Sequence, residues 1–259
     1  MRKTIGNAIL RRPSANFAAG LTTVSLGKPD LLKVHQQYQG YCKALTRCGV
    51  ALTILEADPT HPDSTFVEDT AVITENRAIL TRPGAKSREG EVNSMRGILR
   101  EFFSSFAEIE APGTVDGGDI CEAEKHFFIG LSHRTNEEGA RQLAEILAGE
   151  GCTSSVVDIR AMKNILHLKS GVAYVGHNHL VVIEEMSSRK EFAGYDLIQV
   201  NAGESYAANC IRINDHVLIP SGYPALKSDL EQKGYAAIAL EMSEFQKMDG
   251  GLSCLSLRF

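Results

Sequence analysis

The sequence predicts an α/β fold of five similar blades in a ring, an α/β propeller with pseudo-fivefold repeats. One unit recurs along the 259 residues: two short apolar strands joined by a turn, a loop containing glycine or arginine, and an amphipathic helix. A polar residue begins each unit, at intervals of roughly 42 to 50 residues. These five residues are Asp69, Asp119, His167, Asn209 and Cys254. Because equivalent strand starts converge at one mouth of such a ring, we expect a central polar channel there.

Two copies of this unit end in helices whose apolar residues are spaced to form one stripe. Residues 70–84 lead to the first of these helices, and residues 119–134 lead to the second. Each stripe predicts a core-facing side of its helix. The stripe residues are Val92, Met95, Leu99 and Phe102 in the first helix and Leu143, Ile146 and Leu147 in the second. Thr135 and Glu138 have capping-box spacing, which predicts that the second helix opens with them.

The remaining elements complete the ring. Further copies cover residues 171–183 and 210–224, and a short helix ending at Gly234 follows the latter. A first helix is predicted over about 29–48. The C-terminal strand LSCLSLRF lacks a partner of its own, so we expect the N-terminal strand NAILRRP to complete that blade and close the ring. Strand alternation then directs Cys254 toward the axis.

Composition limits the class of protein. With 43% hydrophobic residues the chain can bury a large core, and we expect a single catalytic domain over residues 1–259. The formal charge of −5 comes from 27 basic and 32 acidic residues spread evenly, which argues against a nucleic-acid partner. No apolar run approaches the roughly 18 residues that a membrane span needs, and the N-terminal segment is predicted to be a strand rather than a secretory signal.

The six cysteines show neither a CxxC pair nor a dense framework, which favours free thiols in a reducing cytoplasm. Cys121 and Cys210 lie in strand patterns and are interpreted as packing residues. Cys254 follows the paired glycines of MDGGLSC, a layout that suggests a nucleophile. Since a free thiol has a pKa of about 8.5, such a nucleophile needs a base or a cation beside it. The sequence leaves the oligomeric state open, with a homodimer as one option.

The segment 62–69, PDSTFVED, contains three carboxylates: Asp63, Glu68 and Asp69. On an extended chain Asp63 and Asp69 lie on one side and Glu68 on the other. Carboxylates this close together bind cations well. The alternative is a solvated turn, because the same residue types beside proline and serine are common in turns.

A second acidic segment, APGTVDGGD over 111–119, places a glycine pair between Asp116 and Asp119. The glycines permit close backbone approach, and Asp116 could orient a histidine or hold a cation. A tight turn with capping carboxylates is the alternative. His167, in ILHLKSG, has apolar neighbours that predict a buried or half-buried strand, where a histidine is usually a core residue.

Four basic side chains are further candidates. Arg88 and Arg134 each lie in the loop between a strand and its helix, where an arginine can grip a carboxylate with two hydrogen bonds or form a surface ion pair. His177 and His179 form an HxH pair without a third ligand at suitable spacing, so we expect no metal there. Acids, arginines, one histidine and one cysteine together suit a zwitterionic small molecule with a cationic head, such as an arginine derivative.

The chain resembles the dimethylarginine dimethylaminohydrolases from about residue 10 to residue 259. Five motifs carry the resemblance, in the family's order: PDSTFVED, APGTVDGGD, LHLKSG, ESYAANC and DGGLSC. The resemblance implies the five-bladed α/β propeller of the guanidine-modifying superfamily. It also implies hydrolysis of asymmetric dimethylarginine or monomethylarginine to citrulline and a methylated amine, with no metal or cofactor.

The same resemblance implies roles for the matching residues. Cys254 is the nucleophile, His167 the general acid and base, and Asp116 its acidic partner. The residues that match the family's substrate contacts are Leu21, Asp63, Glu68, Asp69, Arg88, Arg134 and Met248, of which Leu21 and Met248 act largely through backbone groups. Residues 18–29 are expected to form a lid that excludes water, with an ordinary exposed connection as the alternative.

Two other functions stay open at this point. An arginine deiminase or amidinotransferase-like enzyme resembles this chain in its cysteine, histidine and paired acids, although such deiminases are usually longer. The second is a non-catalytic propeller that binds an arginine-like ligand. The joint presence of Cys254, His167 and Asp116 argues against it.

Overall fold

The computed structural model describes residues 4–259 and contains five three-stranded sheets with one shared connectivity. In each sheet the first two strands pair antiparallel, and the third strand lies parallel to the middle one. The blades are β15 (Leu257–Arg258), β1 (Asn7–Arg11) and β2 (Ala51–Leu55); β3 (Ala71–Ile73), β4 (Ala78–Leu80) and β5 (Phe106–Glu108); β6 (Ile120–Ala123), β7 (His126–Leu131) and β8 (Thr153–Asp158); β9 (Val172–Gly176), β10 (His179–Ile183) and β11 (Asp196–Val200); and β12 (Ile211–Ile213), β13 (His216–Pro220) and β14 (Ala236–Leu240). The predicted five-bladed α/β architecture is confirmed.

Helices join the middle strand to the third strand in four of the blades, because parallel neighbours require a crossover connection. These helices are α1 (Leu31–Arg47), α2 (Glu91–Leu99), α3 (Glu137–Ala148) and α4 (Pro224–Gln232), and the short α5 (Ser243–Gln246) follows β14. The fourth blade instead uses two 3₁₀ turns between β10 and β11. Within the described chain, no helix combines the length and apolar character needed to cross a bilayer.

The two ends of the chain meet in one blade, as predicted. Strand β15 pairs with β1 through Ala8↔Arg258 and Ile9↔Leu257. Because β15 is the first strand of a blade whose other strands come from the N-terminus, this pairing closes the ring. The pairing holds the residues that follow Cys254 against strand β1.

The start of α3 corrects the predicted capping box. Asn136 is the N-cap, and its side chain accepts a hydrogen bond from the Gly139 N–H at 2.8 Å. Thr135 is fully buried, and its hydroxyl donates to Asp119 Oδ2 at 2.7 Å. The sequence spacing was therefore misleading, because the Thr135 hydroxyl is used by a buried carboxylate. Phe102 likewise lies beyond the end of α2, where its ring packs against Phe259.

The third strand of each blade was missing from the predicted unit. The middle strands are almost wholly buried, as in β10 and β13, whereas β2 and β14 contain no fully buried residue. An edge strand with half-exposed side chains has a weak hydrophobic pattern, and periodicity therefore identifies it poorly. The apolar core consequently lies around the middle strands and the helices that pack on them.

Candidate active site

Each blade begins with a short 3₁₀ turn, and the five polar residues lie in or directly beside these turns. The turns are Val67–Thr70, Gly117–Asp119, Leu168–Ser170, Ala202–Ala208 and Ser253–Leu255. His167 directly precedes its turn with an extended backbone, so the predicted strand is wrong at this position, although the predicted burial is correct. Cys254 lies inside its turn, and strand β15 begins only at Leu257.

Three of the five polar residues brace the following turn along the chain. In each case a side-chain oxygen accepts a hydrogen bond from a backbone N–H of that turn. The bonds run from Gly118 N to Asp69 Oδ1 at 2.8 Å, from Leu168 N to Asp119 Oδ1 at 3.0 Å, and from Ser253 N to Asn209 Oδ1 at 3.0 Å. Satisfied buried donors and acceptors of this kind hold a segment in one conformation.

Two further hydrogen bonds complete the circle of turns. The Asn209 side-chain amide donates to the Lys169 carbonyl at 3.1 Å, which joins the third and fourth turns. Arg258, just after the last turn, donates to Glu68 Oε1 in the first turn at 2.8 Å. The five turns therefore form one hydrogen-bonded ring, and residues distant in sequence are brought together at its centre.

His167 is paired with a buried carboxylate. Its Nε2 lies 3.0 Å from Asp116 Oδ2, and Asp116 is fully buried, with its Oδ1 accepting the Gly84 N–H at 2.8 Å. Gly118 lets the imidazole approach the backbone closely, because a Cβ at this position would lie 2.6 Å from His167 Nδ1. The prediction that Asp116 orients the histidine is consistent with this geometry.

The electrostatics favour a charged pair. Burial by itself would lower the pKa of His167, but Asp69, Asp119 and the hydrogen bond with Asp116 together raise it to about 9. Burial would raise the pKa of Asp116, but the hydrogen bond and charge of His167 hold it below its ordinary value. An imidazolium beside a carboxylate is thus the resting state near neutral pH, and His167 carries a proton that it can donate.

Cys254 is held as a neutral thiol. The residue is 9% exposed, and burial, followed by the charges of Glu68 and Asp69, raises the pKa of its thiol to about 12. A free thiol has a pKa of about 8.5, so these surroundings make ionisation of Cys254 considerably harder. The charge of Asp69 raises the pKa of both Cys254 and His167, and ligand atoms of Asp69 and His167 lie within 4.8 Å of each other.

The other predicted acidic residues line the same region. Asp63 is buried, and both of its oxygens accept the Leu21 backbone N–H at 3.1 Å. Burial raises the pKa of Asp63, an effect that Arg88 opposes. Glu68 is 3% exposed, and after burial its charge is the strongest influence that raises the pKa of the Cys254 thiol. The three acids of PDSTFVED are therefore buried rather than part of a solvated turn.

The two predicted arginines differ in their surroundings. Arg88 is buried: its Nη1 donates to Asp69 at 2.5 Å, and its Nε and Nη2 form a two-pronged contact with Glu91. Arg134 is half-buried and close enough to lower the pKa of Asp63. Among residues 4–259 no ion pair engages the Arg134 guanidinium, so it is the better placed of the two to grip a ligand carboxylate.

The predicted lid is fastened to the segment that carries the nucleophile. Leu21 is exposed, whereas Met248 is buried. The Thr22 hydroxyl donates to the Lys247 carbonyl at 3.1 Å, and Asp249 accepts hydrogen bonds from both the backbone N–H and the hydroxyl of Thr23. The exposed segment therefore lies over the loop leading to Cys254. Movement of this lid stays a prediction.

One group of potential metal ligands lies at the site. One ligand atom each from Asp69, Asp116 and His167 lie within 4.8 Å of one another, the only group of three that the described part of the chain contains. Asp69 in that group is already ion-paired with Arg88 at 2.5 Å. His179 of the HxH pair contacts the Tyr235 hydroxyl at 2.9 Å and belongs to no such group in the described residues.

Known proteins resemble this chain in sequence. The sequence model of the arginine deiminase family matches residues 55–214. The N(G),N(G)-dimethylarginine dimethylaminohydrolase of Pseudomonas aeruginosa is 46% identical, over 97% of this chain and 98% of the relative. The chain belongs to the dimethylarginine dimethylaminohydrolase family. The member from Streptomyces coelicolor is 32% identical, over 97% of this chain and 96% of the relative.

Solved structures of dimethylarginine dimethylaminohydrolases have the same fold. The Pseudomonas aeruginosa enzyme, with a cysteine replaced by serine and complexed with citrulline, matches with a TM-score of 0.96 and 44% identity over 99% of this chain and 100% of that chain. A variant with a histidine replaced by glycine, an adduct with S-methyl-L-thiocitrulline, matches with a TM-score of 0.95 and 44% identity over the same shares. The fold assigned above is therefore that of the family.

Sequence reasoning overlooked several residues of the site. Asn209 was recognised only by its spacing, and Lys169 only as a letter of the LHLKSG motif. Glu91 carried no signal, because an acid in a first helical turn is a common surface feature, whereas the strand alternation that directs Cys254 toward the axis put Arg258 on the same side without giving it a role. Each becomes visible only through its buried partner.

Proposed function

We propose that this chain hydrolyses asymmetric dimethylarginine and monomethylarginine to citrulline and dimethylamine or methylamine, through a covalent thiouronium intermediate on Cys254. The observation that carries the proposal is a buried thiol between carboxylates, beside an imidazolium–carboxylate pair. That arrangement suits a planar cation. The relatives trapped with citrulline and with S-methyl-L-thiocitrulline support the same substrate class.

Binding of the substrate cation lowers the raised pKa of the Cys254 thiol. Glu68 and Asp69 raise the pKa of Cys254, and the same two carboxylates are the expected partners of the guanidinium. When the substrate cation neutralises them, its own charge also stabilises the thiolate. The thiol then releases its proton to solvent, and the nucleophile forms only in the presence of a substrate.

The reaction then needs one proton donor that becomes a proton acceptor. The thiolate attacks the guanidinium carbon, and His167 gives its proton to the departing amine as the C–N bond breaks. The neutral imidazole next removes a proton from the water that attacks the thiouronium carbon. Cleavage of the C–S bond returns the thiolate and releases citrulline. Asp116 keeps the ring oriented and stabilises its charged form in both steps.

The amino-acid end of the substrate has matching groups. We assign its carboxylate to the Arg134 guanidinium, and its ammonium to Asp63 and the backbone of Leu21. Met248 contributes through its backbone, as the family resemblance implies. Arg88 acts chiefly through Asp69, since its other donors bind Glu91.

The same proposal extends to the cellular setting. All six cysteines are free thiols, which suits the reducing cytoplasm. A single catalytic domain that associates as a homodimer stays a prediction, and sedimentation of the purified protein measures it.

The deciding experiment compares substrates on purified protein. We expect citrulline from dimethylarginine and monomethylarginine at higher kcat/KM than from arginine or agmatine, with no loss after treatment with a chelator. The match to the arginine deiminase family favours deimination of arginine as the second candidate. Faster ammonia release from arginine would establish that second activity, and strong chelator sensitivity would contradict the metal-free mechanism.

A further inference from the structure

Glu68 is a buried carboxylate whose two oxygens have different environments. Oε1 lies 2.6 Å from the Lys169 ammonium and accepts a hydrogen bond from Arg258 at 2.8 Å. The side chains of all three residues are largely buried. Two cations on one oxygen hold the carboxylate in a single orientation, because ion pairs removed from water are screened little.

The second oxygen, Oε2, is buried and accepts no hydrogen bond from any residue in the described range. An unmatched buried acceptor is costly, and it is rare in native proteins except where a ligand or water satisfies it. Arg258, which binds the other oxygen, also donates to the carbonyl of Ser253, the residue directly before Cys254. Oε2 is therefore an unused acceptor on a carboxylate that is tied to the segment of the nucleophile.

The two cations also belong to the reactive parts of the chain. Lys169 lies in the turn that follows His167. Arg258 donates from Nη1 to the carbonyls of Ser253 and Ser256 at 2.8 and 2.6 Å, on either side of the nucleophile. Glu68 is thus connected to the turn of the base through one cation and to the turn of the nucleophile through the other.

We propose that Lys169 and Arg258 are positioning residues that hold Glu68 Oε1, so that Oε2 alone meets the substrate guanidinium and sets it in line with Cys254. The inference rests on the proposed function for the identity of the cation. Its physical basis is that attack on a planar carbon depends strongly on orientation, whereas attraction of the cation depends mainly on net charge.

This difference predicts an unusual kinetic signature. Lys169→Met removes a positive charge, so attraction of the substrate cation persists while the orientation of Glu68 is lost. We expect kcat to fall about tenfold or more and KM to stay within about threefold of the wild-type value. Lys169→Arg keeps the ion pair and should recover most of kcat. Lys163→Met, an exposed lysine in the preceding loop, is the matched control and should leave both constants unchanged.

Steady-state kinetics on dimethylarginine measures these constants, with thermal unfolding as a check on folding. The inference is overturned if Lys169→Met keeps kcat within twofold, if KM rises as much as kcat falls, or if Lys169→Arg is as impaired as Lys169→Met. Should Lys169→Met fail to fold, Lys169→Gln is measured against the same limits. An inactive wild-type protein would reject the proposed function itself, whereas these ratios reject only the positioning of Glu68 through Lys169.

Discussion

The five polar residues at the blade starts fall into two groups, which differ in the hydrogen bonds that their side chains form. Asp69, Asp119 and Asn209 each accept a backbone N–H from the next turn. His167 and Cys254 occupy equivalent positions but brace no neighbouring turn through their side chains in the described structure. Three of the five positions therefore support the ring, together with the Arg258–Glu68 contact, and the other two side chains are available for chemistry.

This division explains how buried reactive groups can be tolerated. The turn after His167 is held by Asp119 through Leu168 N, and the turn of Cys254 is held by Asn209 through Ser253 N. Each reactive residue is thus oriented by the brace that precedes it in the ring. Replacing a reactive residue should affect chemistry more than stability, and replacing a brace should affect both.

The largest effect should come from Cys254→Ser. A hydroxyl is a far weaker nucleophile than a thiolate at this site, so citrulline formation should become undetectable while the melting temperature stays close to that of the wild type. Cys42→Ser, on the half-buried side of α1, is the control and should remain active. Residual turnover by Cys254→Ser would mean that the nucleophile lies elsewhere.

A roughly hundredfold loss of kcat is expected for Asp116→Asn, within the range for general acid–base catalysis. The hydrogen bond and charge of Asp116 contribute to the raised pKa of His167, about 9 in the folded protein. Wild-type kcat should therefore fall as the pH rises through about 9, and in the variant this alkaline limb should move to lower pH. A pH–rate profile with an unmoved limb would contradict the pairing.

The same pair predicts how stability depends on pH. Because the folded-state pKa of His167, about 9, exceeds the unfolded value of about 6.5, its contribution is fully present below the unfolded value and is lost as the pH rises through about 9. Denaturant unfolding of the wild type across this range should show the loss. His167→Gly should flatten that dependence.

An intermediate effect should follow Asn209→Ala, a change at a brace. The variant loses bonds to the Ser253 N–H and the Lys169 carbonyl, so we expect kcat to fall about tenfold and the free energy of unfolding to fall by about 1–3 kcal/mol. Kinetics and chemical denaturation measure the two losses. Asn201→Ala, at an exposed position, serves as the control. If Asn209→Ala lowers kcat but leaves the free energy of unfolding unchanged, the distinction between braces and reactive residues is wrong.

The smallest effect should come from Thr23→Val in the predicted lid. The exchange removes the hydroxyl that donates to Asp249 but keeps the backbone contact, and exposed hydrogen bonds contribute little. We expect KM to rise by no more than about threefold, with kcat nearly unchanged. Faster proteolysis within residues 18–29 would support a lid held by this contact, and an unaltered cleavage rate would speak against it.

Spacing alone located all five blade-start positions, because a repeated unit places its equivalent residues at regular intervals. The same spacing could not show that the side chains of Asp119 and Asn209 support a neighbouring turn whereas those of His167 and Cys254 are the reactive groups. Their partners lie in the adjacent blade, tens of residues away, and no local pattern encodes that contact. Thr135 shows the opposite error, in which a local capping pattern was overruled by a buried carboxylate.

By itself the sequence determined the five-bladed order, the closure of the ring by its two ends, and the residue types gathered at the turns, because hydrophobic periodicity and motif order are properties of the chain. Three features were decided only by the tertiary structure. Arg88 binds Asp69 and Glu91, one oxygen of Glu68 is ion-paired while the other is not, and the Cys254 thiol is neutral at rest. Hydrogen bonds and charge interactions depend on distance and burial, and the packing of blades sets both.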